Sequence, residues 1–272
     1  MLYVLYLLSV CLFAQDARSI VVRSVNVTNL DPALEREYTY RVRSEEREPD
    51  RSGGLRVKES TVREVLYLGG KRFAHELERN GKPLPENEAR KQHAKLDKAA
   101  AEANRLTPAE RAKRDAQTEK ERAEDRQRLK LIAEAYDFTL KGEPVINGRR
   151  TWQIEGTPRG AYRGKHDGLF KKLKGTLWID QQDYHWVRVE AEALDTISFG
   201  LFLARIAPGT RVMFELARIN DEVWLPKRIE IAGSARVALV KKQSVDQVIT
   251  FSDFRRYRTE SRITQVADGQ PQ

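Results

Sequence analysis

Cysteine is nearly absent from this sequence: Cys11 is the single one among 272 residues. One cysteine allows neither an intrachain disulfide framework nor a thiolate metal cluster. Histidine is scarce as well. His75, His93, His166 and His185 are scattered, and none shares a metal-type spacing with another His, Cys or carboxylate. There is no phosphate-cradling glycine loop and no nucleophile elbow. Asp180 and Asp183 have the chemistry of an acid/base pair, yet they flank a hairpin tip, where Asp serves turn geometry. These absences point away from catalysis and from any cofactor or metal.

Long apolar runs are missing too. The longest uncharged one, Leu2 to Ala14, falls short of the roughly 20 residues a spanning helix needs. It fits the apolar core of a secretory signal, about 7–15 residues long. No Lys or Arg precedes it, and the large Leu12 makes Leu12-Phe13-Ala14 an imperfect cleavage site. A buried first strand or helix is the competing reading. Cleavage after Ala14 would leave a chain without cysteine. Alternatively, Leu8-Ser9-Val10-Cys11 has the form of a degraded lipobox, in which Cys11 would carry the acyl anchor. Export to the periplasm or the outer-membrane periphery is the expectation from either.

What is present is charge. Lys and Arg number 49 against 40 Asp and Glu, a formal net charge of +9. That balance favours anionic partners such as lipid headgroups, envelope polymers or nucleic acid, without choosing among them. Hydrophobic residues at 40% are enough for a folded domain beneath this charged surface.

Along the chain, Ile20, Val21, Val25, Leu30 and Leu34 suit one face of a short helix broken at Asp31-Pro32. Tyr38, Tyr40 and Val42 then alternate with polar residues, as a strand requires. Strands over Val57–Leu68 and Arg72–Glu78 follow, joined at Gly69-Gly70 and closed by Asn80-Gly81. Pro85 to Ala135 differs in kind, with no Val, no aromatic residue and good helix formers throughout. Thr107-Pro108-Ala109-Glu110 reads as a capping box with proline at the first helical position. Two helices are therefore predicted, over Glu86–Arg105 and Pro108–Ala135, with Glu110–Arg114 and Glu124–Arg128 as i,i+4 pairs. Between Glu86 and Glu134 stand 13 basic and 11 acidic residues, too evenly mixed for a nucleic-acid arm. A solvated insertion packed only near Leu129, Leu131, Ile132, Ala135 and Tyr136 is the simpler reading, and a protein-binding surface the alternative.

Strands resume after Tyr136 and continue to Tyr257, with Asn147-Gly148, Asp180–Asp183 and Asn220-Asp221 as tight turns. Such short links imply antiparallel pairing. About nine or ten strands in one large curved sheet are expected. Within this half, Thr196–Ala207 is densely apolar through Ile197, Phe199, Leu201, Phe202, Leu203 and Ile206. It reads either as a core element or as an apolar flap at a cavity mouth or membrane surface. Trp178, Trp186, Phe214 and Trp224 gather in the same half and are candidates either to line such a cavity or to pack the core.

The phrases GTLWIDQQDYHWVRVEAE (Gly175–Glu192) and NDEVWLPKRIEI (Asn220–Ile231) resemble paired strands of the periplasmic lipoprotein-carrier superfamily, which includes outer-membrane lipoprotein-sorting proteins. The resemblance covers mainly residues 136–257. It implies an α+β fold: an incomplete barrel, formed by a large curved antiparallel sheet with helices on its concave side. It also implies an apolar cavity that shelters acyl chains, with lipid or acylated protein as partner and no catalytic residues. The long charged stretch departs from that pattern. The expected organisation is a signal peptide over 1–14 and a single domain over 15–257 with a charged helical insertion at 85–135. A flexible tail would occupy 258–272. The competing class is an envelope scaffold that binds a protein through the charged helices.

Overall fold

The computed structural model describes residues 16–27, 32–199, 204–237 and 243–256. The signal segment, Cys11, Leu201, Phe202 and the tail lie outside them.

Helix α1 (Ala17–Val27) buries Ala17, Ile20, Val21, Ser24 and Val25, which recur at the three- and four-residue spacing of one helical face. After the single turn α2 (Pro32–Glu35) the chain enters a meander: β1 (Tyr38–Pro49), β2 (Leu55–Leu68), β3 (Lys71–Arg79) and the short β4 (Lys82–Pro83). Helices α3 (Glu86–Arg105) and α4 (Pro108–Ala135) follow with the expected bounds. The second meander runs through β5 (Tyr136–Gly142), β6 (Val145–Ile146) and β7 (Arg149–Pro158) to the turn α5 (Asp167–Phe170). It continues with β8 (Leu173–Asp180), β9 (Trp186–Ala193), β10 (Ile197–Phe199) and β11 (Ala204–Ile206). It closes with β12 (Arg211–Ile219), β13 (Val223–Val237) and β14 (Gln243–Arg256).

All described strand pairs are antiparallel, and the order is β4-β3-β2-β1-β14-β13-β12-β9-β8-β7-β5. The sheet is not closed. β4 ends it on one side and β5 on the other. The turn chemistry agrees with the sequence: Asn80-Gly81 and Asn147-Gly148 hold both residues at positive φ, as two-residue hairpin turns require, and Asn220-Asp221 does so within the three-residue link between Ile219 and Val223. β13 runs through Gly233, whose φ of 156° is a backbone conformation that residues with a side chain rarely adopt. The apolar run Thr196–Ala207 contributes β10 and β11, which pair with each other and, through β11, with β13.

One face of the sheet carries α1. Ile154, Leu177, Ile179, Trp186, Leu216 and Trp224 project onto it and form the main core, joined by Leu129 and Ile132 from the end of α4. A second cluster near α2 gathers Tyr38, Tyr40, Val65, Val223 and Leu225. The charged insertion divides between the two faces. α3 packs on β2 and β3, where the His93 ring lies 6.3 Å from that of His75. His75 pairs with Glu64, one step out of phase with Val65 of the second cluster, so α3 sits on the opposite face. α4 instead crosses the α1 face from one edge of the sheet to the other. Near its start Arg114 donates to the Gly69 carbonyl at 3.4 Å and Asp115 pairs with Arg36 at 2.9 Å. At its end Ala133 and Ala135 are buried, and the Ala135 carbonyl accepts from Arg159 N at 2.8 Å. Its 28 residues span about 42 Å at 1.5 Å per residue. The capping box is formed as the sequence predicts, Thr107 and Glu110 satisfying each other's backbone N–H. On the helix surface Arg128 pairs with Asp125 rather than Glu124, and Arg126 with Glu119.

Candidate functional site

Sheet register creates a hollow that no short stretch of sequence displays. Phe138, Gly156, Gly175 and Ala191 stand side by side on β5, β7, β8 and β9. Two glycines and an alanine at one level leave a floor almost without side chains. Two residues along each strand, the next level on one side holds Ile154, Leu177 and Val189, and on the other Tyr136 and Leu173. Those flanking residues become walls. Phe170 of α5 adds to one wall, and Ile132 of α4 lies over the top. The result is a cavity of about 170 Å³ lined by Ile132, Tyr136, Phe138, Phe170, Leu173, Leu177, Val189 and the small floor residues, with Lys174 and Glu190 completing it.

The rings fix the walls. Tyr136 and Phe170 meet edge to face with centroids 5.9 Å apart, and Tyr136 and Phe138 lie 6.4 Å apart. The Tyr136 hydroxyl donates to the Phe170 carbonyl at 3.1 Å, which satisfies the one polar group the ring brings. Burial pushes its pKa up to about 12, so it stays a neutral donor. Lys174 and Glu190 are the only charged side chains of this lining. What it offers is apolar surface.

The aromatic residues singled out in the sequence lie elsewhere. Trp186 is buried under α1, its Nε1 donating to Ser24 Oγ at 2.8 Å. Trp178 projects from the opposite face, where the Arg188 guanidinium approaches its ring at 5.7 Å. Trp224 is buried and stacks on His185 at 5.3 Å. Phe214 is half-buried and pairs with Val189 of the hollow's wall. Ile197 is buried in β10, and Phe199 ends that strand. The hollow's own residues were missed, although the strand glycines Gly156 and Gly175 carried a signal, since glycine inside a strand marks close approach.

The hairpin Asp180–Asp183 has a structural task. Asp180 Oδ1 accepts from the N–H groups of Gln182 at 2.8 Å and Asp183 at 3.1 Å, while Arg149 grips both of its oxygens. Burial pushes this carboxyl up, but Arg149 and the two N–H groups together hold it below the usual carboxylate range. Across the sheet from α1 lies a wider trough of about 620 Å³, lined by Lys174, Arg188, Glu190, Glu192, Arg211 and Glu230 among others. Its charges neutralise each other: Lys174 and Arg211 both reach Glu192 at 3.4 Å, and Arg188 binds Glu215 at 2.7 Å. Among the described residues no three His, Cys, Asp or Glu side chains converge as metal ligands would.

No family model and no curated protein matches this chain. Solved structures do align with it. A DUF1329 family protein from Desulfovibrio piger is 12% identical, with 90% of this chain and 93% of that one covered at a TM-score of 0.32. A LolA superfamily protein from Nitrosomonas europaea is 11% identical, with 89% and 94% covered at a TM-score of 0.30.

Proposed function

We propose that this chain is an exported envelope protein that binds the apolar part of a lipid, an acyl chain or an acylated protein, as a carrier or sensor and without catalysing a reaction. The observation that carries this reading is the hollow over Gly156, Gly175 and Ala191. A packed interior fills such space with side chains, whereas here ring walls surround a floor that lacks them. Apolar surface left in contact with water favours an apolar occupant at about 25 cal/mol per Å² covered. The run from Ile197 through Phe199, Leu201 and Phe202 serves in this reading as a flap. Its start is tied beside the hollow, since Lys172, next to Leu173 of the wall, donates to the Thr196 carbonyl at 2.7 Å.

Native mass spectrometry with lipid extraction, on protein purified from its own envelope, tests the proposal. Co-purifying lipid or acylated peptide, lost in a Phe199→Asp/Phe202→Asp variant, is the expected result. A clean apo mass that also takes up no fluorescent fatty acid overturns it.

A further inference from the structure

The size of the hollow constrains its occupant. Building on the binding role above, we propose that it receives the end of one acyl tail and so selects single-tailed amphiphiles over multi-tailed lipids.

At about 170 Å³ it is close to the roughly 150 Å³ of an engineered apolar cavity that holds one benzene. Its boundaries are fixed by packing. The depth is that of one sheet level, because the floor is already main chain: a Cβ on Gly175 would come within 2.9 Å of the Glu190 carbonyl oxygen. Phe138 stands at the β5 end of the floor and Ile132 covers it. The wall residue Leu177 is buried, and its neighbour across the strand pair, Ile154, is fully so. A second tail of the same molecule would find no equivalent space and would stay in water, gaining nothing. Lengthening a single tail pays only until the hollow is full.

The test is competition between straight-chain alkanoic acids of increasing length and a bound fluorescent fatty acid. Affinity should rise about fourfold per added methylene, the equivalent of 0.8 kcal/mol, and level off beyond about six to eight carbons. Ile132→Ala, which trims the cover, should move that break to longer chains. Gly156→Leu should weaken every length more than tenfold, because a Cβ there already meets the Phe138 ring at 3.3 Å and the rest of the side chain must occupy the hollow. Affinity that climbs through the whole series without a break overturns the size selection while leaving binding intact. So does a diacyl phospholipid that competes better than a single-chain acid of equal tail length. Failure of every chain length to bind overturns the binding role itself. The Ile132→Ala arm keeps the test decisive if Gly156→Leu does not fold.

Discussion

The indole of Trp186 in β9 donates to the hydroxyl of Ser24 in α1 at 2.8 Å, and Ser24 in turn donates to the Val21 carbonyl at 2.8 Å. Ser24 is fully buried among the apolar residues of its helix face, so this pair satisfies two polar groups that the core would otherwise strand. It also fixes the rotation of α1 over the sheet.

Trp186→Phe should therefore destabilise the protein by about 1–3 kcal/mol, the cost of a buried group left without its partner. Ser24→Ala should cost a similar amount. The double variant should cost less than the two together, because both break one interaction. Urea unfolding of the four proteins provides the comparison, and strict additivity would show that the bond contributes nothing.

Asp180→Asn removes the carboxylate that Arg149 and two N–H groups hold in the β8–β9 turn. The expected loss is about 3 kcal/mol, as when one member of a buried ion pair is deleted. The same contact predicts a pH dependence. Because the folded protein holds this carboxyl below the ordinary value of 3.8, its contribution is complete above that value. It is lost as the pH falls from there through the depressed folded value. Acid unfolding followed by tryptophan fluorescence should be steeper in the parent than in the variant.

His75 predicts a second pH response, in another range and another place. The side chain is 4% exposed beneath α3, its Nδ1 is buried without a hydrogen bond, and Glu64 approaches Nε2 at 3.6 Å. Burial depresses its pKa below 6.5, Glu64 opposes the shift and His93 adds to it. The neutral form therefore supports the docking of α3 above pH 6.5, and that support fades as the pH falls below it. Amide exchange along α3 should accelerate between neutral and mildly acidic pH. In a His75→Phe variant the acceleration should vanish; its persistence would assign the effect to another group.

Thr107→Ala deletes the capping side chain of α4. A loss of about 1 kcal/mol is expected from the cap alone, with amide exchange fastest in the first turn of the helix. A change confined to the far end, around Ile132, would show that the cap is not what anchors the start of α4.

Much of this arrangement was legible in the sequence because it rests on local chemistry. Thr107 and Glu110 announce the start of α4, and Asn147-Gly148 and Asn220-Asp221 announce their turns, since each depends on a few adjacent residues. The hollow was not legible. Phe138, Gly156, Gly175 and Ala191 are far apart in the chain and meet only through the register of four strands. The faces taken by the tryptophans were not legible for a related reason. A bulge between Trp178 and Ile179 breaks the simple alternation of the β8–β9 pair, so which face each indole takes depends on pairing rather than on spacing. Nor could the sequence divide α3 from α4. Both are polar, and what draws α3 to its face is the apolar side of β2 and β3, with Val62 and Leu66 buried beside His75.

An open sheet has a degree of freedom that a closed barrel lacks: its two borders can spread or draw together. In this protein α4 reaches from the Gly69 turn near one border to β5 at the other, and so acts geometrically as the chord of an arc. A helix resists stretching, so the arc can flatten or tighten only if the chord tilts or one of its ends lets go. Ile132, which covers the hollow, rides near one end of that chord, and the Arg36–Asp115 pair sits near the other. A push at either border is thereby transmitted along the helix to the opposite one, through a rigid member rather than through the eleven described strands in series.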